Sequence, residues 1–242
     1  LGAKIEDCRA RPMLDGLDIK VIIGESEIFA IHQDQLIARP GDFGRDFLGR
    51  ILPACLFQSA DYVQALREHR RYLAEMKPLV ERYDVLLTCG FGPAPRLDAH
   101  RTINFWQRGN AFTPSNVART PALVLPCGFS KNDLPLGLQL LARPSGDAQV
   151  LRAGHAYQLA SDWHLRRPAL EPGTPQPQLN GDVNEPAPST LDAATRAHVE
   201  TMVERAGLRL NQRQMQILLE AAPYALAMAQ RMRKPRGRME EP

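Results

Sequence analysis

A chain of 242 residues, 44% of them apolar, has the composition of a globular protein and room for one sizeable domain plus an appendage. Lys and Arg nearly balance Asp and Glu to leave a formal charge of +3, so the composition demands no nucleic-acid or acidic partner. Cys8, Cys55, Cys89 and Cys127 lie far apart, which excludes a dense disulfide scaffold and paired metal-ligand spacing, and no apolar run is long enough to span a bilayer.

The chain opens on Leu1-Gly2-Ala3-Lys4-Ile5-Glu6-Asp7-Cys8, which reads as the end of an element already under way and carries no initiator Met. Residues 18–37 place Ile19, Val21, Ile22, Ile28, Phe29, Ile31, Leu36 and Ile37 at a roughly helical period, closed by Arg39-Pro40-Gly41, and predict a helix packed on a sheet. Residues 43–56 repeat the pattern with Phe43, Phe47, Leu48, Ile51 and Leu52, leaving Arg45 and Arg50 on other faces as solvated charges on the plainest reading. The clearest helix spans 59–82. Ser59 is a fair N-cap, Ala60, Val63, Leu66, Leu73, Met76 and Val80 follow one face, and Pro78 is expected to kink or end it. Arg67, His69, Arg70 and Arg71 face the other way as a wet surface.

Tyr83-Asp84-Val85-Leu86-Leu87-Thr88 predicts a buried strand, and the Gly and Pro of residues 89–95 predict a long irregular loop at its end, a candidate pocket wall. Cys89 reads as a packed or loop thiol, with a nucleophile as the sharper alternative. Asn104-Phe105-Trp106 is an aromatic cluster that either floors a substrate pocket or fills core. The rest of the chain is organised around residues 112–144. Two apolar runs there, 122–125 and 138–141, are too short for helices and predict neighbouring core strands, joined as a hairpin by the polar turn 127–133. Ahead of them, Thr113-Pro114-Ser115-Asn116 supplies short side chains that bond nearby backbone, the chemistry of a loop fixed against the strand ends.

Residues 147–161 predict a helix capped by Asp147, with Val150, Leu151, Ala153, Gly154, Tyr157 and Leu159 on and beside its buried face. His155 has no second ligand at i+3 or i+4 and reads as an ordinary partly buried histidine. Residues 171–189, dense in Pro, Gly and polar side chains, predict a linker that divides a first domain, 1–170, from a helical module, 190–242. In that module Ser189 or Thr190 caps a helix that uses Leu191, Ala194, Val199, Met202, Val203 and Ala206 and ends at Gly207. Asn211 caps a second, with Met215, Leu218, Leu219, Ala222, Leu226 and Ala229 on one face and Pro223 bending it. Two such helices cannot enclose a core alone and need a partner surface. The basic run Arg231, Arg233, Lys234, Arg236 and Arg238 reads as a solvated tail rather than a nucleic-acid site.

The ordered series Phe112-Thr113, Pro114-Ser115-Asn116, Pro121-Ala122, Pro126-Cys127-Gly128-Phe129, Leu134-Pro135-Leu136-Gly137-Leu138-Gln139-Leu140 and Arg143-Pro144 resembles the C-terminal core of the amidase signature family. The likeness runs from residue 1 to about residue 170. Upstream it includes Glu25-Ser26-Glu27 with Phe29 and His32, Asp61-Tyr62-Val63 with Arg67 and Arg70, and Ala94-Pro95-Arg96-Leu97-Asp98; downstream it includes Asp162-Trp163-His164 and Arg166-Arg167-Pro168. Arg119 departs from the pattern, which usually places Gly there. Residues 190–242 are similar to the small companion subunits of amidases, such as those of glutamyl-tRNA amidotransferase and carboxybiuret hydrolase, which lay two helices against the amidase and run an extended tail along it. Residues 233–242 resemble the start of such a tail.

The resemblance implies an α/β fold: a partial amidase-signature domain, a mixed sheet flanked by helices, with a C-terminal two-helix appendage. It implies hydrolysis of carbon–nitrogen amide bonds in a small-molecule substrate through a serine acyl-enzyme. Relatives carry the two reacting serines in a Gly-rich segment, with an upstream lysine, all N-terminal to the part matched. Ser26, Ser59, Ser115, Ser130, Ser145, Ser161 and Ser189 stand in no such setting. The chain is therefore expected to supply sheet and pocket wall, no catalytic residue, and to join a separate N-terminal amidase half. The alternative is a non-catalytic split-gene product or remnant. The substrate-binding positions the resemblance implies are Arg45 or Arg50, toward the acyl pocket, with Trp106, Thr113 and Asn116. A homo-oligomer is expected from sheet left open at its edge. Cytoplasmic location, no cofactor or metal, and no membrane or nucleic-acid partner complete the expectations.

Overall fold

The structure, a computed structural model, describes residues 2–90, 92–96, 99, 101–107, 109, 112–168, 171–175, 178 and 185–233. The expected tail beyond Arg233, the Leu97-Asp98 pair and residues 179–184 of the expected linker lie outside the described residues. In chain order the elements are α1 (Met13–Ala38), α2 (Arg45–Ile51) running into a 3₁₀ turn (Leu52–Leu56), α3 (Ser59–Arg82), β1 (Leu86–Cys89), α4 (Asn104–Gln107), α5 (Thr113–Ala118), β2 (Ala122–Phe129), β3 (Pro135–Leu141), α6 (Asp147–Leu159), α7 (Ala193–Arg205) and α8 (Gln212–Met232). They gather into two compact units. One comprises Leu1–Gly16, Tyr72–Ala99 and Asn110–Asp182; the other comprises Leu17–Arg71, His100–Gly109 and Val183–Pro242.

The first is a sheet unit. Its described strands run β1-β3-β2, antiparallel throughout, and β2–β3 is the expected hairpin. The turn is tighter than 127–133, because Ser130 Oγ accepts the amides of Asn132 and Leu134 at 3.3 and 3.2 Å and closes the loop locally. Register places Leu140 between Leu87 and Leu123, and Leu138 between Cys89 and Leu125. With a side-chain period of two, Leu138, Leu140, Leu123 and Leu125 share a face, and Val150, Ala153 and Tyr157 of α6 pack on it. Gly154 permits this approach: a Cβ there would stand 2.3 Å from Leu123 Cδ2.

Several local expectations are corrected. Residues 2–12 form no regular element, and the strand expected over 83–88 begins only at Leu86. Asp147 does not cap α6. Gly146 precedes the helix, and Asp147 sits in its first turn, where its charge faces the positive helix end. Leu151 and Leu159, expected beside the buried face, are 58% and 77% exposed. Thr113-Pro114-Ser115-Asn116 is not a loop but the start of α5, because Pro114 is preorganised for a first helical turn and Ser115 Oγ donates to Phe112 O at 2.9 Å.

Arg119 closes α5 in the left-handed conformation, φ 55° and ψ 40°. That is the position where a helix end favours glycine, so the departure seen in the sequence leaves a Cβ in a region L-residues avoid. Arg119→Gly is expected to raise stability by about 0.5–1 kcal/mol after the added freedom of the unfolded chain is counted, read from urea unfolding. A loss of stability would contradict it.

The second unit is helical. α8 packs against α2 and the Leu52–Leu56 turn, α7 against the same turn, and α4 against α8, so α7 and α8 find a partner surface within this chain. The helix expected over 43–56 is broken at Pro53, which has no amide to give Gly49. α3 nevertheless runs through Pro78 to Arg82, with Met76 and Val80 buried on either side of it. Val63, expected inside, is 48% exposed; the buried face carries Asp61, Ala65 and Glu68 instead. Asp192 rather than Ser189 or Thr190 caps α7, accepting the Thr195 amide at 2.9 Å. Asn211 caps α8 as expected, in a reciprocal box with Gln214. Gly207, φ 73°, follows α7.

Candidate functional site

In the helical unit Arg50, one of the two arginines expected toward a pocket, stands near the end of α2. Its guanidinium lies 4.5 Å over the Phe105 ring, and Nη2 reaches Glu25 Oε1 at 3.4 Å. Nε is buried without a hydrogen-bond partner among the described residues. The side chain is thus held flat on an aromatic face with its charge partly offset by Glu25. Glu25, on α1, is 5% exposed, and burial pushes its carboxyl upward against the opposing pull of Arg50. Lys20, one and a half turns earlier, is pushed down by burial and then by the Arg50 charge.

This cluster carries a pH signature. With a carboxyl raised above its ordinary 4.5, the native state holds more protons than the unfolded chain from pH 4.5 up through the raised value. The Glu25 contribution is thus most favourable below pH 4.5 and is lost as pH rises through that window. Glu25→Gln removes the titration. The difference in melting temperature between E25Q and the parent chain is expected to grow as pH climbs from 4.5 and to be flat below it. A pH-independent difference would remove Glu25 as the titrating group.

Arg45 stands one turn before Gly49. The two line a cavity of about 20 Å³, room for a single water, with Arg101, Thr102, Ile217 and Glu220. Arg101 donates to Glu220 across it, and Thr102 Oγ1 donates to Asp46 Oδ1 at 3.2 Å. Trp106 is 2% exposed. Its Nε1–H donates to Gly49 O at 2.9 Å, the carbonyl that Pro53 leaves without a helical donor. Phe105 meets Trp106 edge-on at 5.4 Å, so the aromatic cluster joins the core to the underside of Arg50.

In the sheet unit Thr113 is fully buried at the start of α5, its Cγ2 3.0 Å from the position a Cβ on Gly16 would take. Asn116, on the same short helix, is exposed. The five expected positions therefore divide between the units: Arg45, Arg50 and Trp106 lie in the helical one, Thr113 and Asn116 in the sheet one.

Among the described residues no serine hydroxyl bonds to a lysine. Ser115 and Ser161 donate to the carbonyls of Phe112 and Tyr157, and Ser189 accepts the Leu191 amide. Cys55 is buried, its thiol pushed up to about 12 by loss of water, and Cys89 is exposed at the end of β1 opposite Leu138. The described residues contain no cluster of three or more His, Cys, Asp or Glu able to hold a metal, and no helix long and apolar enough to cross a membrane.

Lys20 is the member of the Arg50 cluster that sequence reasoning missed. Nothing in linear spacing relates it to residue 50; only the packing of α1 beside α2 does.

Three comparisons bear on these residues. Residues 37–151 match the Amidase family model. The glutamyl-tRNA(Gln) amidotransferase of Chloroflexus aggregans has an A subunit 60% identical over 57 residues, 24% of this chain and 12% of that protein. Its counterpart in Geotalea daltonii is 35% identical over 130 residues, 52% of this chain and 27% of its own length. A solved chain superimposes with a TM-score of 0.53 at 26% identity, covering 61% of this chain and 34% of its own; it comes from an inhibitor-bound, unexpected vestigial protein complex described as revealing the evolutionary origins of an s-triazine catabolic enzyme. This chain thus spans an eighth to a third of the proteins it matches.

Proposed function

We propose that this chain, whose residues 37–151 belong to the amidase family, is the C-terminal part of a hydrolase of carbon–nitrogen amide bonds. Its reacting serine pair and lysine would belong to polypeptide N-terminal to the matched segment. Acyl transfer requires nucleophile, base and oxyanion donors within hydrogen-bond reach, and this chain would add sheet and one wall of the substrate pocket. The observation that carries the reading is the identity with the Geotalea daltonii amidotransferase protein, 35% over 130 residues, which is too long a run for a shared turn or helix.

In this reading Arg50 and Arg45, both in the helical unit, bind the acyl end of a small amide substrate. Trp106, buried and edge-on to Phe105, backs the ring on which Arg50 lies. The helices α7 and α8 act as a companion module carried on the same chain, and the assembled enzyme works in the cytoplasm. A second reading draws on the vestigial complex: the chain is a non-catalytic remnant that assembles with a separate amidase half.

A fluorophosphonate probe tests the first reading. The chain alone is expected to take up no label and to hydrolyse no simple amide. Co-expression with an upstream Gly-rich, double-serine half is expected to give one label per complex, on that half, together with turnover. Stoichiometric labelling of this chain alone refutes the proposal, and a silent complex favours the remnant.

A further inference from the structure

The sheet unit holds a cleft of about 440 Å³ that the amidase reading leaves unused. Its floor is Met76 and Val80 of α3 with Ala118 of α5, each at most 5% exposed, and Leu73 and Pro144 form its sides. Arg45, Arg50, Trp106, Thr113 and Asn116 take no part in its lining. An apolar recess of this size, open to water, is stabilised by whatever apolar body displaces that water.

The rim limits what that body can be attached to. Lys77 and Glu81 offset one another on α3 at 3.7 Å. Arg143, just beyond β3, is exposed and has no acidic partner among the described residues, so the rim carries one surplus positive charge. Thr120, in the turn after α5, also lines the cleft, and its hydroxyl is buried with no hydrogen-bond partner among the described residues. A polar atom left so in a wall is destabilising until a ligand or water bonds it.

From an apolar floor, one surplus guanidinium and one orphan hydroxyl, we infer that the cleft binds a monocarboxylate with an apolar tail, the carboxylate on Arg143 and the tail over Met76 and Val80. Arginine suits that headgroup because its fork matches both carboxylate oxygens, which an alcohol or an ammonium headgroup cannot reproduce. Specificity therefore resides in the headgroup and affinity in the tail.

The experiment is calorimetric titration of the full chain with decanoate, decanol and decyltrimethylammonium, while the Met76 methyl signal of ¹³C-methyl-methionine protein is followed. Saturable one-site binding of decanoate with a shift of Met76 is expected, about 10-fold tighter than decanol, with decyltrimethylammonium weakest. Arg143→Gln is expected to bring decanoate down to the level of decanol, about a 10-fold loss, without altering decanol binding. Arg143→Lys, which keeps the charge but not the fork, is expected to fall between, and serves should R143Q not fold. Equal binding of decanoate and decanol, an unmoved Met76, or no saturation by decanoate overturns the inference.

Discussion

Replacing Trp106 with Ala is expected to remove about 3–5 kcal/mol of stability, the usual cost of deleting a fully buried indole. The loss has two sources. The ring is 2% exposed, with Phe105 and Phe57 beside it, so truncation opens a cavity in the helical unit. The indole N–H is also the donor for Gly49 O, a carbonyl that its own helix cannot satisfy because residue 53 is proline. Trp106→Phe separates the two: it refills most of the volume and leaves the carbonyl bare, at about 1–3 kcal/mol. Urea unfolding followed by far-ultraviolet circular dichroism reads both. A change below about 1 kcal/mol for W106A would mean that Trp106 is not packed as described.

Changing both Arg231 and Arg233 to Gln is expected to cost about 3–5 kcal/mol in total and to free the end of α8. Arg231 makes two bonds to Asp18 at 2.6 and 2.8 Å, and Arg233 two to Asp61 at 2.6 Å each. The acids are 2% and 0% exposed, so the substitution leaves carboxylates deprived of their bidentate partners and of water. The arginine side chains are 35% and 42% exposed, which screens the pairs and brings each to about 1.5–2.5 kcal/mol, below the cost of breaking a fully buried pair. Asp61 retains the Gln58 amide at 2.8 Å, a further moderating contact. The checks are a double-mutant cycle with Asp61→Asn and the rate at which trypsin cuts within α8. An unchanged cleavage rate would show that the pairs do not hold the helix.

These two results concern one surface. Sequence patterning says that α7 and α8 each have an apolar face too large to leave in water, and the structure shows α8 on α2 and the Leu52–Leu56 turn. Arg231 and Arg233 illustrate how far a linear reading goes. As a run of basic residues past an amphipathic helix they look like a solvated tail, yet each ends on a buried aspartate, 213 and 172 residues away in the chain. Charge runs carry no information about the partner.

The candidate site is similarly divided. Helical spacing reads Arg45 and Arg50 as solvated charges, and only the resemblance implies a pocket role for either, while Trp106 is marked by its aromatic neighbour. What distinguishes Arg50 from Arg45 is tertiary: Phe105 beneath it, Glu25 beside it and a buried Nε with no hydrogen-bond partner among the described residues. Thr113 and Asn116 belong to a short helix that the sequence presents as loop chemistry, because Thr, Pro, Ser and Asn serve equally in turns and in a first helical turn.

Short-range order was decided by the amino-acid sequence alone: the β2–β3 hairpin, the Asn211 cap and the stop at Gly207 all follow from side chains within a few residues of one another. Tertiary structure alone decided where the apolar faces went and which acids met which bases. Periodicity states that a face must be buried, because exposed apolar surface costs free energy in proportion to its area, but that cost has no direction. The choice of partner belongs to the hydrogen bonds and close packing that do have direction, such as Trp106 to Gly49, Gly154 under Leu123 and the paired arginines on Asp18 and Asp61, and these form only when distant segments arrive together.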